Sequence, residues 1–317
     1  MSKRISPPEL EDLQKMTASA RKYKLIALTK NKLNPAYTGA RLGADRVAAR
    51  WGCTVAHRVP DKPDDVEEQL ALLQGAHAER PDAIVLAPAH ATALNATLHR
   101  VQADGIPVVC IVSRPDGFAC TSYVGSDDRA LAHGIASYLF SYLPNGGNVV
   151  TLEGHPDAIT SPPRARGFRD AANAHAGVSI ADSRVGYFQR AGGHAAMTEM
   201  LAAGAPISGV LAANDVMALG ALDAMREKGV KIPVVGVNAT PEGVEAIKAG
   251  DMLASAAFDA MKMACLGTEA AIRCLSGRAV PSEVILPVEI VDRSNYAAWD
   301  RDYVDRELPE WDRYAPA

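Results

Sequence analysis

One segment of the chain occurs twice, once in each half of the sequence. Residues 83–112 resemble residues 209–237, and the two read AIVLAPAHATALNATLHRVQADGIPVVCIV and GVLAANDVMALGALDAMREKGVKIPVVGV. Each copy has a short apolar run, a segment of helical period and then Ile-Pro-Val-Val, which is typical of a strand-helix-strand unit. Two such units so far apart predict two similarly wound lobes, although a likeness this weak also arises by chance among α/β units.

The same alternation of short β-branched runs and helical segments continues along the chain, and it predicts an α/β fold with mostly parallel sheets. Proline is well tolerated as the first residue of a helix, so helices are expected to open at Asn34-Pro35 and at Lys62-Pro63. Glycine often ends a helix in the left-handed conformation, which is the role predicted for Gly105, Gly229 and Gly250. The elements predicted in the first part of the chain are strands Leu25–Thr29, Thr54–Val59, Ala83–Ala87 and Pro107–Val112, with helices from Pro35 to Gly52, after Pro63 and over Ala91–Ala103.

Charge and composition exclude several classes of partner. The chain has 33 Lys and Arg against 37 Asp and Glu, a formal net charge of −4, with 48% hydrophobic and 22% charged residues. This balance is typical of a globular protein and offers no basic surface for nucleic acid or an anionic membrane. No run approaches the roughly 20 apolar residues of a membrane helix. The charged, proline-containing start of the sequence does not resemble a signal peptide.

The sequence also lacks the motifs of common catalytic and cofactor sites. It has no G-x-x-x-x-G-K-[ST] loop, no G-x-G-x-x-G after a strand, no G-x-S-x-G and no H-E-x-x-H. Its eight histidines form no i, i+4 pair and its five cysteines show no C-x-x-C spacing, which predicts neither a metal site nor a disulfide framework. Asp64-Asp65 and Asp127-Asp128 stand where helices should begin and are predicted to cap them rather than to act as acid and base. We therefore expect no enzyme activity and no cofactor.

Polar residues follow the ends of most of the predicted strands. In open parallel sheets, ligands bind outside the carboxyl ends of the strands. Two facing lobes are therefore expected to form a cleft lined by Thr29 to Asn34, Ala87 to His90, Ser113-Arg114, Asn214-Asp215 and Val237-Asn238.

Several of these residues lie in motifs of a known family. The motifs include Asn34-Pro35-Ala36-Tyr37, Arg164-Ala165-Arg166-Gly167-Phe168 and Asn214-Asp215-Val216-Met217-Ala218-Leu219-Gly220. From about Lys24 to Val291 the chain resembles the ribose/galactose-type periplasmic sugar-binding proteins of ABC importers, in the type I periplasmic binding protein superfamily. It also resembles the effector-binding core of LacI-type repressors, which belongs to the same superfamily.

This resemblance implies two Rossmann-like lobes with parallel sheets, joined by three crossovers that act as a hinge. The implied division is a lead-in (1–23), a first lobe (24–126 and 259–287), a second lobe (127–258 and 288–291) and a tail (292–317). The crossovers are expected near Ser126-Asp127, Ala257–Asp259 and Pro287–Glu289. The tail holds two of the three tryptophans, which are uncommon in disordered segments, so it is predicted to pack across the lobes or against a partner.

The resemblance also implies which residues hold the ligand. Aromatic rings would face the C–H groups of a sugar, while guanidinium and amide groups would reach its hydroxyls. The matching positions are Asn34, Tyr37, Arg114, Arg164, Phe188, Asn214, Asn238 and Phe258. Judged without the resemblance, Asn34 and Asn214 also fit helix caps, and both phenylalanines also fit a core. For Asp215 the capping role is the one predicted.

The chain departs from ribose-binding relatives at several of these positions. Ser113 and Asn238 stand where the relatives have aspartates, Phe258 replaces a glutamine and Ala36 replaces an aromatic residue. Two carboxylates are thus lost while three basic residues remain, namely Lys30, Arg114 and Arg164. The cleft is therefore expected to be net cationic, which motivates the hypothesis of an anionic ligand such as a sugar acid, or of a polyol held by amides and arginines.

The sequence favours a monomeric, non-enzymatic periplasmic protein that captures a small sugar-like solute and delivers it to an ABC permease. Closure of the lobes on the ligand would signal loading. The alternative is a ligand-sensing module of a regulatory or chemosensory system. An intact LacI-type repressor is not expected, because such a protein carries a helix-turn-helix of roughly 50–60 residues before the first strand and only 23 residues precede Lys24 here.

Overall fold

The computed structural model describes residues 22–315, which form twelve strands, ten α-helices and one short 3-10 helix. The strands are β1 (Lys24–Leu28), β2 (Thr54–Arg58), β3 (Ala83–Leu86), β4 (Val108–Ile111), β5 (Ser122–Ser126), β6 (Gly147–Glu153), β7 (Val178–Val185), β8 (Gly209–Ala212), β9 (Val234–Val237), β10 (Ala254–Ala256), β11 (Glu283–Leu286) and β12 (Ile290–Asp292). The helices are α1 (Pro35–Arg50), α2 (Val66–Ala78), α3 (Asn95–Ala103), α4 (Asp128–Ser141), α5 (Ser161–Ala174), α6 (Arg190–Ala202), α7 (Asp215–Glu227), α8 (Pro241–Ala249), α9 (Ala260–Leu275) and α10 (Trp311–Tyr314), with the 3-10 helix at Tyr296–Ala298. Nearly all of the predicted lead-in (1–23) lies outside the described residues.

The strands form two six-stranded sheets, one in each lobe. The first has the order β11-β5-β4-β3-β1-β2, with all neighbours parallel. The second has the order β12-β10-β9-β8-β6-β7, in which only β12 runs antiparallel to its neighbour. The chain passes between the sheets after β5, after β10 and after β11. The α/β class with two lobes and three crossovers is thereby confirmed.

The two copies of the sequence repeat occupy equivalent places in the two sheets. The first copy forms β3, α3 and β4, and the second forms β8, α7 and β9. In each sheet these strands take the third and fourth positions, counted from the edge strand that comes last in the chain. Every residue of the four strands is buried, as expected for parallel strands covered by helices on both faces.

Predicted strand ends in the first lobe lie within one residue of those in the structure. Helix α1 begins at Pro35 as predicted. The three glycines predicted to end helices are also left-handed, with φ of +77° at Gly105, +65° at Gly229 and +83° at Gly250. Local sequence signals therefore place most of these boundaries.

Two helices begin later than predicted. Helix α3 begins at Asn95 rather than Ala91, because the His90 imidazole forms a separate turn by accepting the backbone N–H groups of Thr92 and Ala93, each at 3.1 Å. Helix α2 begins at Val66 rather than at Pro63, because the N-cap is Asp65.

Helix α9 returns to the first lobe and packs closely against α1. A Cβ atom on Gly43 of α1 would lie only 2.8 Å from Cys265 Sγ of α9, so the contact requires glycine there. Cys265 is buried, as are Cys53 and Cys110, and all five cysteines of the chain are unpaired. Among residues 22–315, no helix is long and apolar enough to cross a membrane.

Asp215 joins three elements of the second lobe from a fully buried position. Its carboxylate accepts the backbone N–H of Thr240 at 2.8 Å, the Thr240 hydroxyl at 3.2 Å and the Ser255 hydroxyl at 2.6 Å. Thr240 is the N-cap of α8, and Ser255 lies in β10. The predicted capping role was wrong, because Asn214 caps α7 and Asp215 ties α7 to α8 and β10.

The buried carboxyl of Asp215 gives a test by pH. Desolvation raises its pKa to about 7 despite the three donors, so the folded protein holds this proton more tightly than the unfolded chain does. Its contribution to the free energy of unfolding is then largest below about pH 4 and is lost as the pH rises through about 7. Urea unfolding between pH 4 and pH 7 should show wild type losing stability relative to Asp215→Asn.

The matched control is Asp223→Asn in the same helix. A hydrogen bond from Arg190 holds the pKa of Asp223 below its usual value, so the contribution of this carboxylate to stability is nearly complete above about pH 5 and is lost only at lower pH. From about pH 5 to pH 7 the difference between wild type and Asp223→Asn should therefore stay nearly constant, while the difference for Asp215→Asn changes. A difference for Asp215→Asn that stayed flat or grew with pH would contradict this account of the network.

Candidate ligand-binding cleft

A cavity lies between the lobes, beyond the carboxyl ends of the strands. Residues of both lobes line it, and most of them are polar. Seven of the eight predicted ligand residues are among them. The lining consists of Lys30, Asn31, Asn34, Ala36, Tyr37, Asp64, Thr160, Arg164, Phe188, Asn214, Asn238 and Phe258.

The loop between β1 and α1 forms one wall and is held by its own amides. The Asn31 side-chain oxygen accepts the backbone N–H groups of Leu33 at 2.8 Å and Asn34 at 2.9 Å. The Asn34 side-chain oxygen accepts the Ala36 N–H at 3.0 Å and so caps α1. Asn34 therefore caps the helix and lines the cavity, and its cap fixes the start of the helix that carries Tyr37.

A buried ion pair, Lys30 and Asp64, lies in the same wall. Their charged atoms, Lys30 Nζ and Asp64 Oδ1, are 3.8 Å apart, and Asn31 Nδ2 donates to Asp64 Oδ2 at 2.9 Å. The backbone N–H of Asp64 also donates to the Lys30 carbonyl at 2.7 Å, which joins the two loops. Burial lowers the pKa of Lys30, while the nearby carboxylates of Asp64 and Asp128 oppose that shift.

Asp64 lines the cavity, a role that its position in the sequence did not predict. Both members of Asp64-Asp65 are predicted to cap a helix, but only Asp65 caps α2, by accepting the Glu68 N–H at 2.9 Å. A helix start needs one capping side chain, so the second acid of such a pair was the signal that another role was available.

Arg164 is the buried cation of the opposite wall, with only 3% of its surface exposed. Its Nε donates to Asp128 Oδ1 and its Nη1 donates to the Ala213 carbonyl, both at 2.7 Å. Burial raises the pKa of Asp128, and the Arg164 charge counteracts that effect. The two acids of Asp127-Asp128 thus have different roles, as those of Asp64-Asp65 do. Asp127 caps α4, and Asp128 neutralises the cavity cation Arg164.

Two phenylalanine rings lie near this guanidinium. Its central carbon is 4.7 Å from the centre of the Phe258 ring and 5.9 Å from that of Phe188. Both are cation–π distances, which favour a fixed orientation of the arginine. Phe258 therefore supports Arg164 in addition to lining the cavity.

Two asparagines complete the second-lobe wall. Asn214 caps α7 by accepting the Met217 N–H at 2.9 Å, and its Nδ2 donates to the Phe188 carbonyl at 3.2 Å. Asn238 has the unusual φ of +123°, and its buried side-chain oxygen has no hydrogen-bond partner. A buried carbonyl oxygen without a donor is costly, so the cavity offers an acceptor that a ligand hydroxyl could satisfy.

Arg114 does not reach this cavity, contrary to our prediction. Its Nη1 pairs with Glu283 Oε1 at 3.0 Å, and its guanidinium lies 5.1 Å from the centre of the Tyr123 ring. The reason is the pairing of β11 with β5, which brings Glu283 beside Tyr123. More than half of the Arg114 side chain is exposed.

The charges of the cavity are therefore balanced, and the predicted net cationic cleft is corrected. Two cations remain, Lys30 and Arg164, and each faces a carboxylate, Asp64 at 3.8 Å and Asp128 at 2.7 Å. With Arg114 paired elsewhere, the structure provides no surplus positive charge in the described lining.

The fold and the cleft together define a class of protein, and comparison with known proteins agrees. A family profile described as "Periplasmic binding protein domain" matches residues 26–279, so the chain belongs to this family. The D-ribose/D-allose-binding protein of Pseudomonas aeruginosa is 31% identical over 249 residues, covering 75% of this chain and 77% of that protein. Ribose import binding protein RbsB of Bacillus subtilis is 27% identical over 257 residues, covering 81% of this chain and 83% of that protein.

A solved structure matches over a larger share of both chains. The ABC transporter periplasmic solute binding protein of Actinobacillus succinogenes, with bound D-allose, superposes with a TM-score of 0.83 at 25% identity. The match covers 99% of that chain but 87% of this one. The chain described here is therefore longer than that relative.

Gly154 is needed for the position of Phe188, and this gives a test of the cavity wall. A Cβ atom on Gly154 would lie 2.0 Å from Phe188 Cζ, so Gly154→Ala must push the ring away from its place beside Arg164. We expect at least a tenfold loss of affinity for the solute that wild type binds, measured by isothermal titration calorimetry.

The control is Gly75→Ala in the middle of α2, where no atom lies within 4 Å of the added methyl group. This change should leave affinity unaltered and add roughly 0.5–1 kcal/mol to the free energy of unfolding. Equal affinities for wild type and Gly154→Ala would show that Phe188 does not form part of the binding wall.

Proposed function

We propose that this protein captures a small, neutral, polyhydroxylated solute in the cleft and delivers it to the permease of an ABC importer from the periplasm. Membership of the periplasmic binding protein family supports the transport role. A single chain supplies both walls of the cleft, which suits a protein that acts as a monomer. Closure follows from the fold, since a ligand that contacts both lobes favours the closed arrangement by its differential affinity.

The charge balance of the cavity supports a neutral ligand. The pairs Lys30–Asp64 and Arg164–Asp128 already oppose each cation with a carboxylate, at 3.8 Å and 2.7 Å. A bound carboxylate would bury one further negative charge without a free cation, which costs several kcal/mol. Hydroxyl groups can donate to carboxylate oxygens and accept from ammonium and guanidinium groups without adding charge. The sugar-acid hypothesis is therefore replaced by a neutral sugar or polyol.

The unpartnered oxygen of Asn238 is the observation that carries the proposal. It is the buried cavity acceptor whose partner the protein does not supply. A ligand hydroxyl that donates to it would remove the penalty of an unsatisfied buried group, which is about 1–3 kcal/mol. The similarity to the D-ribose/D-allose-binding protein of Pseudomonas aeruginosa supports a sugar of that size as the ligand.

The remaining lining fits the same ligand class. Tyr37, Phe188 and Phe258 provide aromatic faces for C–H groups. The charged groups are tied up in ion pairs and none is poised as an acid or base, so we propose binding without catalysis.

A thermal-shift panel tests the ligand class. The panel contains D-ribose, D-allose, xylitol and myo-inositol as neutral compounds, with D-gluconate and D-glucuronate as acids. A ligand present at 100 times its Kd adds about 2.7 kcal/mol to the stability, which is visible as a raised Tm. We expect a shift with at least one neutral compound and none with the acids; a shift with the acids alone would refute the neutral ligand.

Asn238→Gly tests the acceptor itself. Glycine tolerates the φ of +123° and removes the side-chain oxygen, so the backbone should be unchanged. We expect the Kd for the bound solute to rise about tenfold, in line with the loss of one buried hydrogen bond. The Tm of the ligand-free variant should not fall, since this oxygen makes no bond within the protein. An unchanged Kd would remove Asn238 from the site.

A further inference from the structure

The tail first lies on the second lobe after leaving β12. The Tyr138 hydroxyl of α4 donates to Asp292 at 2.7 Å, at the point where the tail begins. Farther along, Lys248 Nζ of α8 pairs with Asp300 Oδ2 at 3.1 Å. Asp292 and Asp300 therefore anchor this part of the tail on helices of the second lobe.

The tail then attaches to the first lobe within three residues. Arg46 Nη1 of α1 donates to the carbonyls of Tyr303 at 3.0 Å and Arg306 at 2.7 Å. The Tyr303 ring lies against the same helix at Gly39, where an added Cβ atom would be 2.6 Å from the ring. A large aromatic side chain thus fits onto a glycine that leaves room for it.

A second first-lobe anchor lies at the end of the tail. Trp311 is buried, with 7% of its surface exposed, and the Arg273 guanidinium of α9 lies 4.7 Å from the centre of its ring. Helices α1 and α9 pack against each other, so the two anchors belong to one rigid part of the first lobe.

Trp299 lies where the tail passes from the second lobe to the first. Its indole N–H donates to Glu289 Oε1, in the crossover between β11 and β12, at 3.3 Å. Lys262 Nζ of α9 lies 5.8 Å from its ring, and Arg306 donates to its carbonyl at 3.0 Å. The crossover, the first-lobe helix α9 and the tail are therefore in contact at one residue.

We propose that residues 293–315 form a fourth crossing between the lobes, a strap that restrains opening and biases the protein toward the closed arrangement. The anchors at Asp300 and Tyr303 are three residues apart, and three residues span at most about 10 Å. The strap consequently has little slack, and a wide separation of α1 from α8 requires one anchor to break. The proposal concerns the ligand-free equilibrium, so it does not depend on which solute binds.

The consequence is a higher affinity for the solute. The apparent Kd of a protein equals its intrinsic Kd divided by the fraction of molecules in the binding-competent form. A strap that favours closure raises this fraction and so lowers the apparent Kd. Releasing the strap from the first lobe should therefore open the ligand-free protein and weaken binding without altering any residue of the cavity.

The test is small-angle X-ray scattering on the full-length, ligand-free protein. The double variant Arg46→Met with Tyr303→Ala removes the first-lobe anchor next to Asp300, so that the tail stays tied to the first lobe only at Trp311, beyond a long slack segment. The single variant Arg46→Met is the milder change if the double variant folds poorly. Val304→Ala is the control, because this neighbouring tail residue is 58% exposed. Tryptophan fluorescence reports release of this part of the tail through Trp299, whose carbonyl accepts from Arg306.

We expect the double variant to show red-shifted fluorescence and a radius of gyration about 1 Å above the wild-type value, which should be about 20 Å for a compact chain of this length. The control should match wild type in both measurements. Release of Trp299 with an unchanged scattering curve would overturn the proposal, because the lobes would then not depend on the strap. Unchanged fluorescence would overturn it too, since the anchors described here would not be the contacts that hold the tail.

Discussion

Two lobes that close over a polar cavity bury charge, so each ionised side chain in the cleft needs a partner of opposite sign. Arg164 meets this requirement through Asp128 at 2.7 Å, and Lys30 meets it more loosely through Asp64 at 3.8 Å. These pairs determine the chemistry of the site. They leave polar atoms that can exchange hydrogen bonds with hydroxyl groups, and they leave no free charge to attract a charged solute.

The scaffold around the cavity serves to hold short polar loops in place. Asn34 and Asn214 each cap the helix that follows their strand, so the same hydrogen bond starts a helix and orients a cavity residue. Behind the second wall, Asp215 bonds to Ser255 and Thr240, and the Ser255 hydroxyl oxygen accepts the Ala239 N–H at 3.0 Å. This buried network fixes the strained turn that presents Asn238. The tail extends the covalent hinge by contacts with both lobes.

The fold could be predicted because its signals are local: alternating periodicity, proline and glycine at helix ends, and a repeat that occupies the same place in both sheets. Seven of the predicted ligand residues line the cavity. The predictions that failed concern residues whose interaction partners are distant in the sequence. Arg114 leaves the cleft because β11 brings Glu283 beside it, a pairing of segments far apart in the sequence. Asp64 was missed because its partner Lys30 lies in another loop, and without the pairs the charge of the cleft was misjudged.

The central claim is that the cleft keeps its internal ion pairs and binds a neutral solute through hydroxyl groups. A crystal structure of the protein with its bound solute, at a resolution that distinguishes hydroxyl from carboxylate groups, tests this most directly. The account predicts a ligand hydroxyl within about 3.2 Å of Asn238 Oδ1, with the Arg164–Asp128 and Lys30–Asp64 pairs intact. A ligand carboxylate bound to Arg164 or Lys30, with its protein partner displaced, would contradict it.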